Sequence, residues 1–252
     1  MNGPAWPGGC AGAVSLTFDD ALPSQLDTAV PLLEGRNLRA TFYVNPNDAW
    51  CANAEVWRAV QSRGHEVGNH TISHPCSGNF GWIRTKPLED MTLDEIEAEV
   101  RSGREAIEKA LPDQREFSFC YPCYQDFVGR GEGRRSYVPV VARYHRAARG
   151  WGESPNDPER VDLHYIWAFP GSGLKARGLI DLCEQATDGR WTVLVFHGLG
   201  GGPHPTAPRE FRKLCTHLDR NRDRLWTAPL VEVASEILVR RERGPAQVGS
   251  TP

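Results

Sequence analysis

From residue 13 to residue 227 the chain alternates short runs of apolar and β-branched residues with longer stretches of helical periodicity. This is the strongest constraint in the sequence, because strands separated by a crossover helix pair in parallel and need helices on the faces of their sheet. Residues 13–18 read as a buried strand. Ser24 caps a helix through Leu33 that Gly35 closes, and residues 40–44 give a second strand. Helical periodicity over 54–62 ends at Gly64, and a short third strand at 66–68 leads into a helix bearing His70 and His74. Thr92 and Glu95 have capping-box spacing at the head of the strongest helical pattern, which runs to about Leu111. Strands at 117–121, 146–150, 163–169, 192–196 and 225–227 then alternate with helices at 137–144, 174–187, 211–220 and 231–240. Seven or eight strands in 252 residues predict an α/β barrel built as one domain over residues 1–243, with 244–252 a frayed tail.

Composition removes several partners. A net charge of −3 with 24% charged residues lacks the basic excess that nucleic acid attracts, and no run of about 18 apolar residues offers a membrane span. Neither partner is expected. The first seven residues lack the basic and apolar segments of a signal peptide. Cysteines at 10, 51, 76, 120, 123, 183 and 215 form an odd, scattered set that reads as reduced thiols. Both features predict a cytoplasmic protein, although a chain trimmed from a secreted precursor would read the same way.

Two features carry chemistry. Asp19 and Asp20 end the first strand, where successive side chains point in different directions, so one carboxylate can bind a cation while the other stays free as a base. His70 and His74, at i and i+4 of a helix, would present both imidazoles to one metal ion. Singly, Asp-Asp can cap a helix and His-x-x-x-His can be a solvated face; their coincidence is the signal. One carboxylate and two imidazoles leave positions open for water and substrate, as catalytic sites do. Zn2+ suits these donors, and Co2+, Ni2+ or Fe2+ fit by the same logic.

Thr17-Phe18-Asp19-Asp20, His70-Thr71-Ile72-Ser73-His74 and Val195-Phe196-His197 resemble, in order and separation, the first, second and fifth motifs of the polysaccharide deacetylases (NodB homology) of carbohydrate esterase family 4. The resemblance runs from Trp6 to about Arg240. It implies a distorted (β/α)7 barrel with Asp20, His70 and His74 as metal ligands and Asp19 as general base. It also implies that His197 protonates the departing amine and that the backbone N–H of Cys123 helps hold the oxyanion. A second carboxylate should orient His197; that motif matches poorly, and Asp157 and Asp162 are both candidates.

The third motif departs further. Relatives commonly show Arg-Pro-Pro-Tyr-Gly, whereas Cys120-Tyr121-Pro122-Cys123-Tyr124 keeps the central proline and puts Cys120 in place of the arginine that orients the base. Arg149 ends the strand at 146–150, so in a barrel it reaches the same mouth and is the candidate to span to Asp19. The single Cys-x-x-Cys reads as pocket lining rather than a redox or zinc pair. His65 reads as structural and 198–202 as a flexible rim. Trp50, Trp82, Trp151 and Trp167 fall in or near loops where a ring could stack on a sugar.

The activity implied is metal-dependent removal of acetyl groups from an N-acetylated sugar, in chitin oligosaccharides or a related glycan such as peptidoglycan. Alternatives are an O-acetyl esterase on acetylated xylan, an amidase on a non-sugar small molecule, and a non-catalytic glycan-binding protein. Non-haem iron oxygenases share the ligand set on an all-β scaffold, which the βα alternation contradicts.

Overall fold

The computed structural model describes residues 6–243; residues 1–5 and the tail expected at 244–252 lie outside the described residues. Its strands are β1 (Gly12–Phe18), β2 (Thr41–Val44), β3 (Glu66–Asn69), β4 (Ser118–Cys120), β5 (Phe127–Val128), β6 (Arg135–Ser136), β7 (Ala147–Arg149), β8 (Phe169–Pro170), β9 (Trp191–Phe196) and β10 (Leu225–Thr227). The α-helices are α1 (Val30–Glu34), α2 (Asp48–Cys51), α3 (Ala54–Ser62), α4 (Leu93–Ala110), α5 (Val138–Tyr144), α6 (Ala176–Cys183), α7 (Pro208–Arg220) and α8 (Leu230–Arg243).

Parallel pairing runs β7-β4-β3-β2-β1-β9-β8, and β10 pairs with the start of β1. The two ends of this curled sheet, β7 and β8, are joined by an isolated parallel bridge between Arg149 and Ile166. The result is a distorted, thinly closed (β/α)7 barrel in a single domain. β5 and β6 form a separate antiparallel hairpin.

All seven residues of β1 and all six of β9 are buried, as expected of strands covered on both faces. Phe18 stacks between Phe42 and Phe196, 5.0 and 5.4 Å away, and meets the edge of Phe211 from α7. A second cluster fills the barrel with Ala13, Val193, Val195, Ala147 and Ile166, and α8 adds Leu230, Val233 and Ile237.

Several expected elements shift. The capping box stands as read, Thr92 Oγ1 accepting from the Glu95 N–H and Glu95 Oε2 from the Thr92 N–H. Ser24 caps nothing: it is already helical, its hydroxyl accepts from the Leu199 N–H, and a π-helical turn at Gln25–Ala29 precedes α1. The strand expected at 163–169 shrinks to the Ile166 bridge and β8, because Asp162 turns the chain through the Tyr165 N–H to Asp162 C=O bond.

Candidate active site

Because β1, β3, β4, β7 and β9 run in one direction, the groups at their C-terminal ends share one mouth. There stand Asp19 and Asp20 after β1, His70 after β3, Cys120 ending β4, Arg149 ending β7 and His197 after β9. Three loops at this mouth hold Asp20, Ala21, Thr71, His74, Cys123 and Tyr124, six of the nine described non-glycine residues with left-handed φ. Such backbone costs about 1–3 kcal/mol per residue and persists where the surroundings fix it.

The two histidines do not lie on a helix. Residues 70–79 form a loop in which Thr71 and His74 are left-handed, and Pro75 disfavours helical backbone at the residue before it. The loop still brings the rings together, with centroids 4.7 Å apart and nearly perpendicular. His70 Nε2 and His74 Nε2 lie 3.7 and 3.5 Å from Asp20 Oδ1. Nδ1–H of His70 donates to the Cys120 carbonyl at 2.8 Å; a carbonyl only accepts, so Nε2 carries the lone pair that faces Asp20. Burial pulls the pKa of His70 down to about 3 and lowers that of His74, so both rings are neutral, as ligands must be. Burial, with Asp19 alongside, raises Asp20 to about 6. A carboxylate so disfavoured as an anion, facing two neutral imidazoles, is short of positive charge, and this donor set fits a divalent cation.

Sequence reading missed the groups that hold this loop. Glu99 of α4 accepts from the N–H groups of Ile72 and Ser73 at 2.9 and 2.8 Å. Asn69 accepts from the Thr71 N–H, and it fits because Gly103 lacks a Cβ, which would come within 2.3 Å of Asn69 Oδ1. Gln25 donates to the carbonyls of both Asp19 and His197, tying β1 to β9. The Glu99, Gly103 and Gln25–His197 contacts are long-range, so no local spacing signals them.

Arg149 is fully buried, and its Nη2 lies 2.6 Å from both Asp19 oxygens. The same nitrogen contacts Cys120 Sγ, and the guanidinium lies 5.1 and 5.7 Å from the ring centres of Tyr43 and Tyr124. Burial opposes ionisation of Asp19, but Arg149, with His70 and His197, outweighs it and holds the carboxyl below its usual range.

His197 Nε2 lies 3.9 Å from Asp19 Oδ2 and 4.0 Å from Asp20 Oδ2. On its other side Nδ1 faces Ser172 Oγ at 3.5 Å, and neither Asp157 nor Asp162 is there. Asp157 pairs with Arg190 immediately before β9, so the whole strand, roughly 20 Å, separates it from His197 at the far end. Asp162 accepts from the His164 N–H. Both line a separate cavity of about 660 Å3 with Tyr165, Trp167 and Arg190.

The reduced-thiol reading is corrected as well: Cys76 and Cys123 form a disulfide 47 residues apart in sequence, and Cys10, Cys51, Cys120, Cys183 and Cys215 remain free. Cys123 is therefore no free pocket thiol. Cysteine parity hid one bridge among five unpaired residues. Of the tryptophans, Trp50 is packed into the core at 6% exposure, while Trp82, Trp151 and Trp167 are 55, 43 and 44% exposed. Trp82 stacks on Phe80 with centroids 5.4 Å apart and lies 6.1 Å from the His74 ring. No helix among the described residues is long and apolar enough to cross a membrane.

Residues 8–125 match the family model for polysaccharide deacetylases. A gellan lyase of a Bacillus species is 24% identical over 254 residues, 88% of this chain and 9% of that protein. A chitooligosaccharide deacetylase of Bradyrhizobium sp. (strain ANU 289) is 30% identical over 162 residues, 63% of this chain and 60% of that protein. The chain spans from 9 to 60% of the length of the curated relatives it matches. Among solved structures, a peptidoglycan deacetylase of Bacillus subtilis superposes with a TM-score of 0.58 at 19% identity, covering 92% of this chain and 94% of that one. A family 4 pseudoenzyme of Bacillus anthracis does so with the same score at 15% identity, over 88 and 65%. The segment that carries Asp19, Asp20, His70 and His74 is thus similar to the polysaccharide deacetylases, and the barrel as a whole has the fold of the family 4 carbohydrate esterases.

Proposed function

We propose that this protein removes acetyl groups from N-acetylated sugars, in chitin oligosaccharides or a related glycan such as peptidoglycan, by metal-dependent hydrolysis. The observation that carries this reading is the ionised Asp19, clamped by buried Arg149, beside the Asp20–His70–His74 donor set. Those three residues would hold a divalent cation, Zn2+ by donor type; when bound, it supplies Lewis acidity to the acyl carbonyl and to the attacking water. Asp19 takes the water's proton, and Arg149 keeps it ionised and in place. His197, with Nε2 facing the carboxylates, gives a proton to the departing amine, and Ser172 stands where a carboxylate partner was expected. The Cys123 N–H, on the left-handed turn after Pro122, serves as oxyanion donor.

Likeness to the family alone does not establish catalysis, since the same barrel occurs in a pseudoenzyme. Asp19 and His197 favour it, because a binding module needs neither base nor acid. Acetate release from chitin oligosaccharides, peptidoglycan fragments and acetylxylan tests the reading and separates amide from ester cleavage. Folded, zinc-loaded protein that releases acetate from none of them would refute it. The Cys76–Cys123 bridge favours an oxidising compartment over the cytoplasm.

Two further results are expected. Arg149→Met keeps the metal, lowers turnover and moves the acidic limb of the pH–rate profile to higher pH, because loss of the guanidinium raises the Asp19 pKa and the base is then protonated at a pH where it was ionised. Wild-type turnover with an unmoved limb would leave Asp19 without this partner. Trp82→Ala raises KM for an N-acetylated tetrasaccharide about tenfold with kcat little changed, as loss of one ring stack of about 1.4 kcal/mol requires. An unchanged KM would remove Trp82 from the substrate surface.

A further inference from the structure

The His74 ring faces two ways. Its Nε2 lies 3.5 Å from Asp20, while its Nδ1 lies 3.6 Å from Sγ of Cys76, which is bridged to Cys123. One ligand atom from each of His74, Cys76 and Cys123 lies within 4.8 Å of the others, as in the Asp20–His70–His74 set. We propose that reduction of the bridge turns Cys76, Cys123 and Nδ1 of His74 into a second cation site, back to back with the first through one shared imidazole and suited to a thiophilic divalent ion such as Zn2+ or Cd2+.

The chemistry balances with a phosphine as reductant. The S–S bond takes two electrons from phosphorus, water supplies the oxygen of the phosphine oxide, and its two protons end on the two sulfurs. Cation binding then displaces one proton from each thiol. A neutral imidazole has one nitrogen lone pair, so His74 cannot serve both sites as a neutral ligand. Two thiolates bring more negative charge than Asp20 alone, and soft sulfur donors favour Zn2+ and Cd2+. The reduced protein therefore draws His74 out of the Asp20–His70 set. In the oxidised protein the disulfide has no ligating thiolate, and His74 stays with Asp20. Cys123 is half-buried and Cys76 fully buried, so the bridge meets a reductant from the Cys123 side.

Co2+ as the probe metal, added to the full chain, tests this without any substrate and so independently of the deacetylase assignment. The expected result is sulfur-to-cobalt charge-transfer absorption in phosphine-reduced protein, absent from oxidised protein and from reduced Cys76→Ser. The five free cysteines are common to the oxidised and reduced wild type and cancel in the difference. No new absorption after reduction, with two additional thiols titrated, overturns the proposal, as does absorption that survives Cys76→Ser. Should that variant fail to fold, alkylation of reduced wild type followed by mass spectrometry decides: Zn2+ protects Cys76 and Cys123 if the site exists, and equal labelling with and without Zn2+ overturns it.

Discussion

Asp19→Asn lowers deacetylation by about 100-fold to 10,000-fold and leaves bound metal unchanged, the range typical of removing a general base. An amide of the same shape keeps the contacts around Asp19 but cannot take a proton from water. Metal is retained because the proposed cation donors are Asp20, His70 and His74, whose distances to one another do not pass through Asp19. The variant leaves Arg149 buried without its anion, and breaking a buried pair costs about 3–5 kcal/mol, so thermal unfolding must accompany the kinetics. Elemental analysis is the deciding measurement: an Asp19→Asn protein that had lost its metal would show that the two aspartates are assigned the wrong way round.

His70→Ala and His74→Ala each lose metal and turnover together, and chelation does the same to the wild type. A three-donor site that loses one imidazole keeps too few ligands to hold an open-site cation. His70 is the more damaging of the two, since it is buried and fixed through Nδ1 to the Cys120 carbonyl, so its loss also leaves that carbonyl without its partner. Zn2+ or Co2+ restores the chelated wild type and neither variant. Undiminished turnover in excess chelator, with metal loss verified, would rule the mechanism out.

What was legible in the sequence is what short spacing encodes. The Thr92–Glu95 capping box, the apolar run into Asp19-Asp20 and the run into His197 are local patterns, and each lies where the pattern puts it. Helical spacing brought His70 and His74 together on the page, but in the molecule Glu99, Asn69 and left-handed backbone do it. Asp157 and Asp162 look close to His197 because both are acidic and near the expected motif, yet parallel β9 carries one end of its loop connections far from the other. The position of Arg149 followed from the direction of its strand, and the structure sets it against Asp19. The Cys76–Cys123 bridge has no local signal, since it joins two loops 47 residues apart.

The thin closure at Ile166 bears on how this protein would stop working. β7 pairs on one side with three-residue β4, and on the other is held by three backbone hydrogen bonds, Ala148 N–H to the Leu163 carbonyl, Ile166 N–H to the Ala148 carbonyl and Gly150 N–H to the Ile166 carbonyl. β1 and β9, by contrast, pair along six consecutive residues in the middle of the sheet. Free energies of local opening are lowest where backbone ties are fewest. Arg149 rides on that weakly tied strand, whereas Asp19 follows the strongly tied one. Heat or denaturant is therefore expected to separate Asp19 from Arg149 while β1 and β9 still hold, so that loss of the proposed activity runs ahead of global unfolding.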